Sequence, residues 1–164
     1  MTAVTGEYLA ALKASVIGDT STVARLRELL EERDGPRSGE IYGALYSVAL
    51  ATAARRAFPG GYTSDTRAEV IRFVARMRGA VAGTDDDFKP RVAEHVLISM
   101  LGGAEDIETL DKKDLAVVIV MLIGGLLAYL GIEEGGIDDF LSEVRPLAEA
   151  SYARQAAADD LLDP

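Results

Sequence analysis

Apolar residues recur along most of the chain at intervals of three and four positions, which is the spacing of one face of an α-helix. One predicted helix shows this spacing in its apolar stripe, which consists of Val23, Leu26, Leu29 and Leu30. No segment alternates apolar and polar residues with β-branched enrichment, and alanine, a strong helix former, is abundant. The pattern therefore predicts an all-α protein of about seven helices.

Glycine, proline and capping residues mark where these helices begin and end. Asp19, Thr20 and Ser21 are all typical N-cap residues, and Thr66 with Glu69 has the spacing of a capping box. Pro146 predicts a bend or a division of the last helix. We place the helices at about 6–17, from 19–21 to 34, 39–58, from 63–66 to 79, from 87–90 to 102, through 115–132, and from 137 onward.

The third and sixth predicted helices are apolar on every side, and the sixth contains eighteen residues without a charge, 115–132. A helix of this kind lies either in a protein core or in lipid. Eighteen residues rise about 27 Å, just short of the hydrocarbon thickness of a bilayer. Gly124, Gly125 and Gly131 would weaken this helix if it stood alone. The amphipathic helices also need an apolar element against which their apolar faces can pack. We therefore predict a core rather than a membrane span.

These features together predict the fold class. We expect an all-α, single-domain orthogonal helical bundle over residues 1–158, with about seven helices arranged around the two buried apolar ones. Residues 159–164 form a predicted disordered acidic tail. The glycine pair at 124–125 predicts a kink or a close helix crossing. The small residues Gly43, Ser47 and Ala51, each one turn from the next, would allow the third helix to approach a neighbour closely.

The charge of the chain is large and unevenly placed. The formal net charge is −10, which favours solubility and disfavours binding to nucleic acid or anionic membranes. Residues 104–164 carry fourteen acidic residues against four basic ones, whereas residues 55–78 carry six arginines against two acidic residues. We call these six the arginine belt: Arg55, Arg56, Arg67, Arg72, Arg76 and Arg78.

The arginine belt is the candidate partner-binding surface, and its candidate contact residues are Arg55, Arg56, Arg72 and Arg76. Arg72 and Arg76 lie one turn apart on the fourth predicted helix. The belt can stay solvated, pair with the acidic C-terminal third within the chain or in a dimer, bind an acidic protein, or contact nucleic-acid phosphates. The charge balance favours a solvated or internally paired belt, then a protein partner, then nucleic acid.

Tyr42 and Tyr46 also lie one turn apart, on the apolar third helix. Buried tyrosines need a partner for the hydroxyl group. One interpretation is core packing, with both hydroxyls at the rim. The other is a ligand pocket between helices, near Tyr42, Tyr46 and the glycine pair at 124–125, that holds a small apolar molecule.

Candidate catalytic chemistry is sparse. His95 is the only histidine, and the adjacent Glu94 diverges from it around a helix, so no metal site is predicted. The acidic runs at 85–87 and 105–108 lack the ligand spacing of a calcium loop. Ser99 lies one turn after His95, but a serine nucleophile also needs an oriented base and an oxyanion site. No nucleotide-binding glycine motif occurs, so we predict no cofactor.

Two segments, TRAEVIRFVARMR at 66–78 and KPRVAEHVLISMLGG at 89–103, resemble small all-helical actinobacterial proteins of unknown function. The chain has four lysines against thirteen arginines, which suits a high-GC genome of that kind. The two segments make up 28 of the 164 residues, and the resemblance rests on helix-start and core patterns. It implies a helical fold and no particular activity.

Three functional hypotheses follow. The first is a non-enzymatic interaction or regulatory protein that binds a protein partner or a second copy of itself through surface charge. The second is a carrier or sensor of a small apolar ligand, and the third and weakest is an enzyme that uses His95. The chain has no cysteine and its first residues lack the apolar run of a signal peptide. The cytoplasm is therefore the predicted location.

Overall fold

The computed structural model of the protein describes residues 2–81 and 88–159. These residues form seven α-helices and no strand, which confirms the predicted all-α class. Loops of two to about a dozen residues join the helices. The helices are α1 (Gly6–Ile17), α2 (Thr20–Asp34), α3 (Arg37–Ala57), α4 (Ser64–Val81), α5 (Pro90–Met100), α6 (Lys112–Tyr129) and α7 (Glu134–Asp159).

Side-chain caps start three of these helices. The Asp19 carboxylate accepts from the Thr22 amide, as predicted for α2. Asp111 caps α6 in the same way, through the amides of the second and third residues of the helix. At α4 the predicted capping box of Thr66 and Glu69 is wrong. The cap is Thr63, whose Oγ1 accepts from the Thr66 amide, because Thr66 already lies inside the helix and is buried there.

The end of α6 and the course of α7 differ from the predicted pattern. α6 ends at Tyr129 because Gly131, with φ of 70°, takes the left-handed conformation that stops a helix. Pro146 does not divide α7 but lies inside it. Both Pro146 and Ser142, whose carbonyl loses its helical donor to the proline, are exposed, so water can replace the missing hydrogen bond.

Packing divides the chain into two compact units. The first comprises Met1–Ala49 with Ile132–Pro164, and the second comprises Leu50–Gly131. α3 runs through the boundary without a break, so one continuous helix belongs to both units. The predicted single domain stays a prediction. Asp159 of the predicted acidic tail is the last residue of α7, and 160–164 lie outside the described residues.

In the first unit, α1 packs against both α2 and α7. Its core is large and apolar. The segment before α1 is held to α7 by Glu149, whose two carboxylate oxygens accept from the amides of Ala3 and Val4 at 3.1 and 2.8 Å. The side chain of Val4 is fully buried. The buried side chains of the helices in this unit include Tyr8, Leu12, Leu30, Leu45, Phe140, Leu141 and Val144.

In the second unit, α5 packs against both α4 and α6. At Gly125 of α6 an added Cβ would lie 2.6 Å from Met77 Sδ of α4, so the Met77 side chain packs against this glycine. The predicted kink or close helix crossing at 124–125 stays a prediction. α6 fully buries only Val118, Leu122, Ile123, Leu126 and Leu127. Its other apolar residues remain partly accessible, so burial of this helix on every side is only partly realised.

Among the described residues, no single helix is both long and apolar enough to span a membrane. α6 and α7 meet the length and composition criteria only when they are taken together across the break between them.

Candidate functional site

The arginine belt lies in the second unit, on the last turn of α3 and on α4. All six of its side chains are exposed. α4 directs Val70, Phe73 and Val74 into the core, so Arg72 and Arg76 lie on the part of the helix that faces away from it. Arg72 Nε donates to the carbonyl oxygen of Ala68, one turn earlier on the same helix, at 3.2 Å.

Three aromatic rings meet beside this surface. The Tyr129 ring lies 5.5 Å from the Phe73 ring, edge to face, and 6.1 Å from the Phe58 ring, in a stacked arrangement. Phe58 and Phe73 are only 3% exposed, whereas Tyr129 is 49% exposed. Two core rings therefore fix the orientation of a third ring that remains open to solvent.

Arg76 connects the belt to this aromatic cluster. Its guanidinium carbon lies 5.6 Å from the centroid of the Tyr129 ring, within the range of a cation–π contact. The sequence analysis did not identify Tyr129. The only signal was a tyrosine at the end of the long apolar run, and nothing in the sequence placed it near α4.

The belt arginines have few internal partners. Glu69 stands on the same helix as Arg72 and Arg76 but forms no ion pair with either. Throughout residues 2–81 and 88–159, Arg55, Arg67, Arg72, Arg76 and Arg78 make no ion pair with a carboxylate. Arg56 does interact with other groups. Within the described residues, no carboxylate therefore neutralises these five arginines, and all five side chains are exposed.

The second candidate region is a cluster of tyrosines in the first unit. The Tyr42 ring meets the Tyr8 ring of α1 at 4.9 Å and the Tyr46 ring at 5.8 Å, both edge to face. The predicted ligand residues Tyr42 and Tyr46 are thus joined by Tyr8, which the sequence analysis missed. The contact links α1 to α3, and only the tertiary fold could reveal it.

The hydroxyl of Tyr8 is tied to the end of α2. It donates to Asp34 Oδ2 at 2.7 Å, and Arg33 holds both oxygens of the same carboxylate, at 3.0 Å from Nε and 2.8 Å from Nη2. The pKa of Asp34 is lowered chiefly by the hydrogen bonds from Arg33. Burial and the bond to Asp34 raise the pKa of Tyr8. This network fastens α2 onto α1.

The hydroxyls of Tyr42 and Tyr46 differ in their bonding. Tyr46 Oη lies 3.0 Å from Ser15 Oγ. Tyr42 Oη is buried and has no hydrogen-bond partner in the described chain. Burial is the main cause that raises the pKa of Tyr42 to about 12. The guanidinium of Arg27, from α2, lies over the Tyr42 ring at 5.9 Å from its centroid.

A groove of about 540 Å³ opens between α1 and α2, next to this cluster. Ser15 and Arg27 belong to its wall, which connects the groove to Tyr46 and Tyr42. The glycine pair at 124–125 belongs to the second unit, where Met77 meets Gly125. The residues that line the groove are Ala14, Ser15, Gly18, Thr20, Val23, Ala24, Arg27, Glu28 and Glu31.

The structure assigns His95 to a surface ion pair. Its Nε2 lies 3.6 Å from a carboxylate oxygen of Glu105, and the side chain is 44% exposed. No hydrogen bond joins His95 to Ser99 in the described residues. The described part of the chain also contains no group of three or more histidine, aspartate or glutamate side chains placed to hold a metal ion. The acidic run at 85–87 lies outside the described residues.

Comparison of the chain with protein-family models, curated proteins and solved structures gives no match. The resemblance to actinobacterial helical proteins therefore stays a prediction.

Proposed function

We propose that the protein is a non-enzymatic interaction module of the cytoplasm that binds an acidic protein partner through the arginine belt of its second unit. The observation that carries this proposal is the contact of Arg76 with Tyr129, which places a fixed, exposed aromatic ring beside Arg72 and Arg76. Neither arginine forms an ion pair with a carboxylate of the described residues. Arginine and tyrosine are the residue types most often responsible for binding energy at protein interfaces.

Preorganisation supports this surface as a binding site. Phe58 and Phe73 hold the Tyr129 ring, and the ring holds the Arg76 guanidinium. Side chains that are already ordered lose less conformational entropy when a partner binds. The guanidinium can still bind a carboxylate through two parallel hydrogen bonds, because a cation–π contact uses its face and leaves its edge free.

The charge pattern favours a protein partner over nucleic acid. The chain carries a net charge of −10. This charge repels a long polyanion such as nucleic acid over the distances at which salt does not screen the interaction. An acidic peptide segment needs only the local excess of positive charge on residues 55–78. Asp65 and Glu69, which stand on the same helix, would also repel phosphates placed along α4.

A matched pair of charge-reversal variants tests the proposal. Arg72→Glu with Arg76→Glu removes the proposed contacts, and Arg25→Glu with Arg37→Glu makes the same charge change at two exposed arginines of the first unit. Chemical cross-linking followed by quantitative affinity purification would compare the partners recovered with each protein. We expect at least tenfold less of an acidic partner with the first variant and no change with the second.

The results of this experiment would distinguish an acidic protein, a second copy of the chain and nucleic acid as the partner of the arginine belt. Equal recovery of all partners with both variants would refute the proposal. Loss of a self-association detected by analytical ultracentrifugation, in the first variant only, would identify a second copy of the chain as the partner. Retention of nucleic acid by the wild type and the control variant alone would identify the belt as a phosphate-binding surface instead.

A further inference from the structure

The groove between α1 and α2 has the size of a small-molecule site. Its volume of about 540 Å³ lies within the range of about 300–1,000 Å³ that ligand pockets occupy. Its walls combine apolar groups, such as Ala14, Val23 and Ala24, with hydroxyls and charges. The groove belongs wholly to the first unit and shares no residue with the arginine belt.

The hydroxyl groups of Ser15, Tyr46 and Tyr42 differ in whether they donate a hydrogen bond. Ser15 Oγ donates its single proton to the carbonyl oxygen of Ala11 at 2.9 Å. The bond between Ser15 and Tyr46 must then use the proton of Tyr46, which donates to Ser15 Oγ. Tyr46 is engaged as a donor. Tyr42 is not, because its buried hydroxyl has no partner among the described residues.

A buried donor without an acceptor lowers stability, so a ligand that brings an acceptor to the Tyr42 hydroxyl gains binding energy there. Tyr42 does not itself line the groove, but its ring lies against a residue of the wall, since the Arg27 guanidinium is 5.9 Å from the ring centroid. A ligand in the groove therefore reaches the Tyr42 hydroxyl only after Arg27 turns aside.

The Arg27 side chain covers the Tyr42 ring and can change its conformation. Its side chain is exposed, and the described chain offers it no hydrogen bond or ion pair besides the contact with the ring. An exposed cation–π contact is weak, so Arg27 can turn away from the ring with little loss of stability. Its five N–H groups then become donors at the mouth of the groove.

We propose that this groove binds a small neutral molecule that carries a carbonyl oxygen on an apolar body. The oxygen accepts from the Tyr42 hydroxyl and from Arg27, and the body packs against Val23 and Ala24. An anion is disfavoured because Glu28 and Glu31 outnumber Arg27 in the wall. A cation has no acceptor to offer to Tyr42. This site is independent of the proposed partner surface of the second unit.

Three probes of similar shape and different charge test the ligand class: benzamide, benzoate and benzylammonium. Each is titrated into the ¹⁵N-labelled full-length protein while amide chemical shifts are recorded. We expect benzamide to shift the amides of α1 and α2 that line the groove and to saturate. We expect benzoate and benzylammonium to bind at least tenfold more weakly. No saturable shift with benzamide at these amides, or equal binding of all three probes, would overturn the proposal.

Two tyrosine variants test the donor. Tyr42→Phe deletes the unpartnered hydroxyl and is expected to weaken benzamide binding about three- to tenfold. Tyr46→Phe deletes the engaged hydroxyl of the same cluster and is expected to leave binding unchanged. A third variant, Ala24→Phe, fills the groove from an exposed position of α2 and should abolish binding without touching any hydroxyl. Equal loss in both tyrosine variants, or full binding in Ala24→Phe, would contradict the proposed site.

Discussion

The guanidinium of Arg76 lies 5.6 Å from the centre of the Tyr129 ring, and this contact joins α4 to the end of α6. The contact holds the Arg76 side chain of the arginine belt against the ring. Tyr129 is half exposed, yet its ring is held from beneath by Phe58 and Phe73. The surface therefore combines a rigid aromatic base with Arg72 and Arg76, which form no ion pair within residues 2–81 and 88–159.

Replacing Tyr129 separates the role of its ring from that of its hydroxyl. Tyr129→Ala removes the ring under Arg76, and we expect recovery of the acidic partner to fall about tenfold or more. Tyr129→Phe keeps the ring and the cation–π contact, so recovery is expected to stay at the wild-type level. Cross-linking and quantitative purification measure both variants. A comparable loss in Tyr129→Phe would show that the hydroxyl, not the ring, makes the contact.

The sequence predicts helix boundaries well where a local group determines them. α1 begins and ends where it was predicted, because Gly18 takes a left-handed conformation with φ of 78° and stops the helix. The end of α5, which was predicted near 102, is also determined by local groups. Gly102 has φ of 94°, and the Gly103 amide donates to the Ile98 carbonyl, which closes the helix in a Schellman motif.

The candidate sites were less accessible to sequence reasoning, because their contacts join distant parts of the chain. The charge pattern identified Arg72 and Arg76, but Tyr129 lies more than fifty residues further along. Periodicity identified Tyr42, but Tyr8 reaches it from another helix. Spacing within one helix reveals which residues share a face. It does not reveal which face of which helix lies opposite.

Two tyrosines of the first unit, Tyr8 and Tyr42, are expected to respond in opposite ways to loss of the hydroxyl group. Tyr8→Phe removes a hydrogen bond to the Asp34 carboxylate, and we expect the free energy of unfolding to fall by about 2 kcal/mol. Tyr42→Phe removes a hydroxyl without a partner, so it is expected to leave stability unchanged or to raise it slightly. Calorimetry on both variants measures the difference, which corresponds to roughly 4–8 °C in Tm.

The comparison contains its own control, since both variants delete one oxygen from the same aromatic cluster. A destabilisation of Tyr42→Phe as large as that of Tyr8→Phe would show that the Tyr42 hydroxyl has a partner in solution, such as an ordered water. That result would also weaken the case for an unmet donor beside the α1–α2 groove.

Asp34 links stability to pH at the acidic end of the range. Hydrogen bonds from Arg33 hold its pKa below the ordinary value of 3.8, so the folded state binds this proton less readily than the unfolded state does. The resulting stabilisation is complete above pH 3.8 and is lost as the pH falls through the lower, folded-state pKa. Urea unfolding between pH 2.5 and about 6 measures the slope.

We expect Asp34→Asn to reduce the loss of stability over this range, because the variant no longer takes up a proton on unfolding. Glu7 and Asp19 also have lowered pKa values, caused chiefly by side-chain hydrogen bonds from Thr5 and Thr22, so part of the slope remains. Asp139→Asn, at an exposed position of α7, is the matched control. A slope as steep in Asp34→Asn as in the wild type would contradict the assignment.

Two glycine positions in the second unit predict opposite responses to an added methyl group. At Gly103 a Cβ would collide with the Ile98 side chain and lie 3.0 Å from the Ile98 carbonyl oxygen, on the turn that closes α5. At Gly79 nothing lies within 4 Å of an added Cβ, and the residue is helical in α4. Gly103→Ala is therefore expected to lower the free energy of unfolding by about 1–3 kcal/mol.

We expect Gly79→Ala instead to raise it by about 0.5–1 kcal/mol, since alanine loses less conformational entropy than glycine in a helix. Chemical denaturation of both variants measures the two changes on one scale. The Ile98 carbonyl cannot move away from Gly103 without breaking the hydrogen bond that it accepts from the Gly103 amide, so the collision has no inexpensive relief. If Gly103→Ala were as stable as the wild type, the turn after α5 would have to differ from the one described.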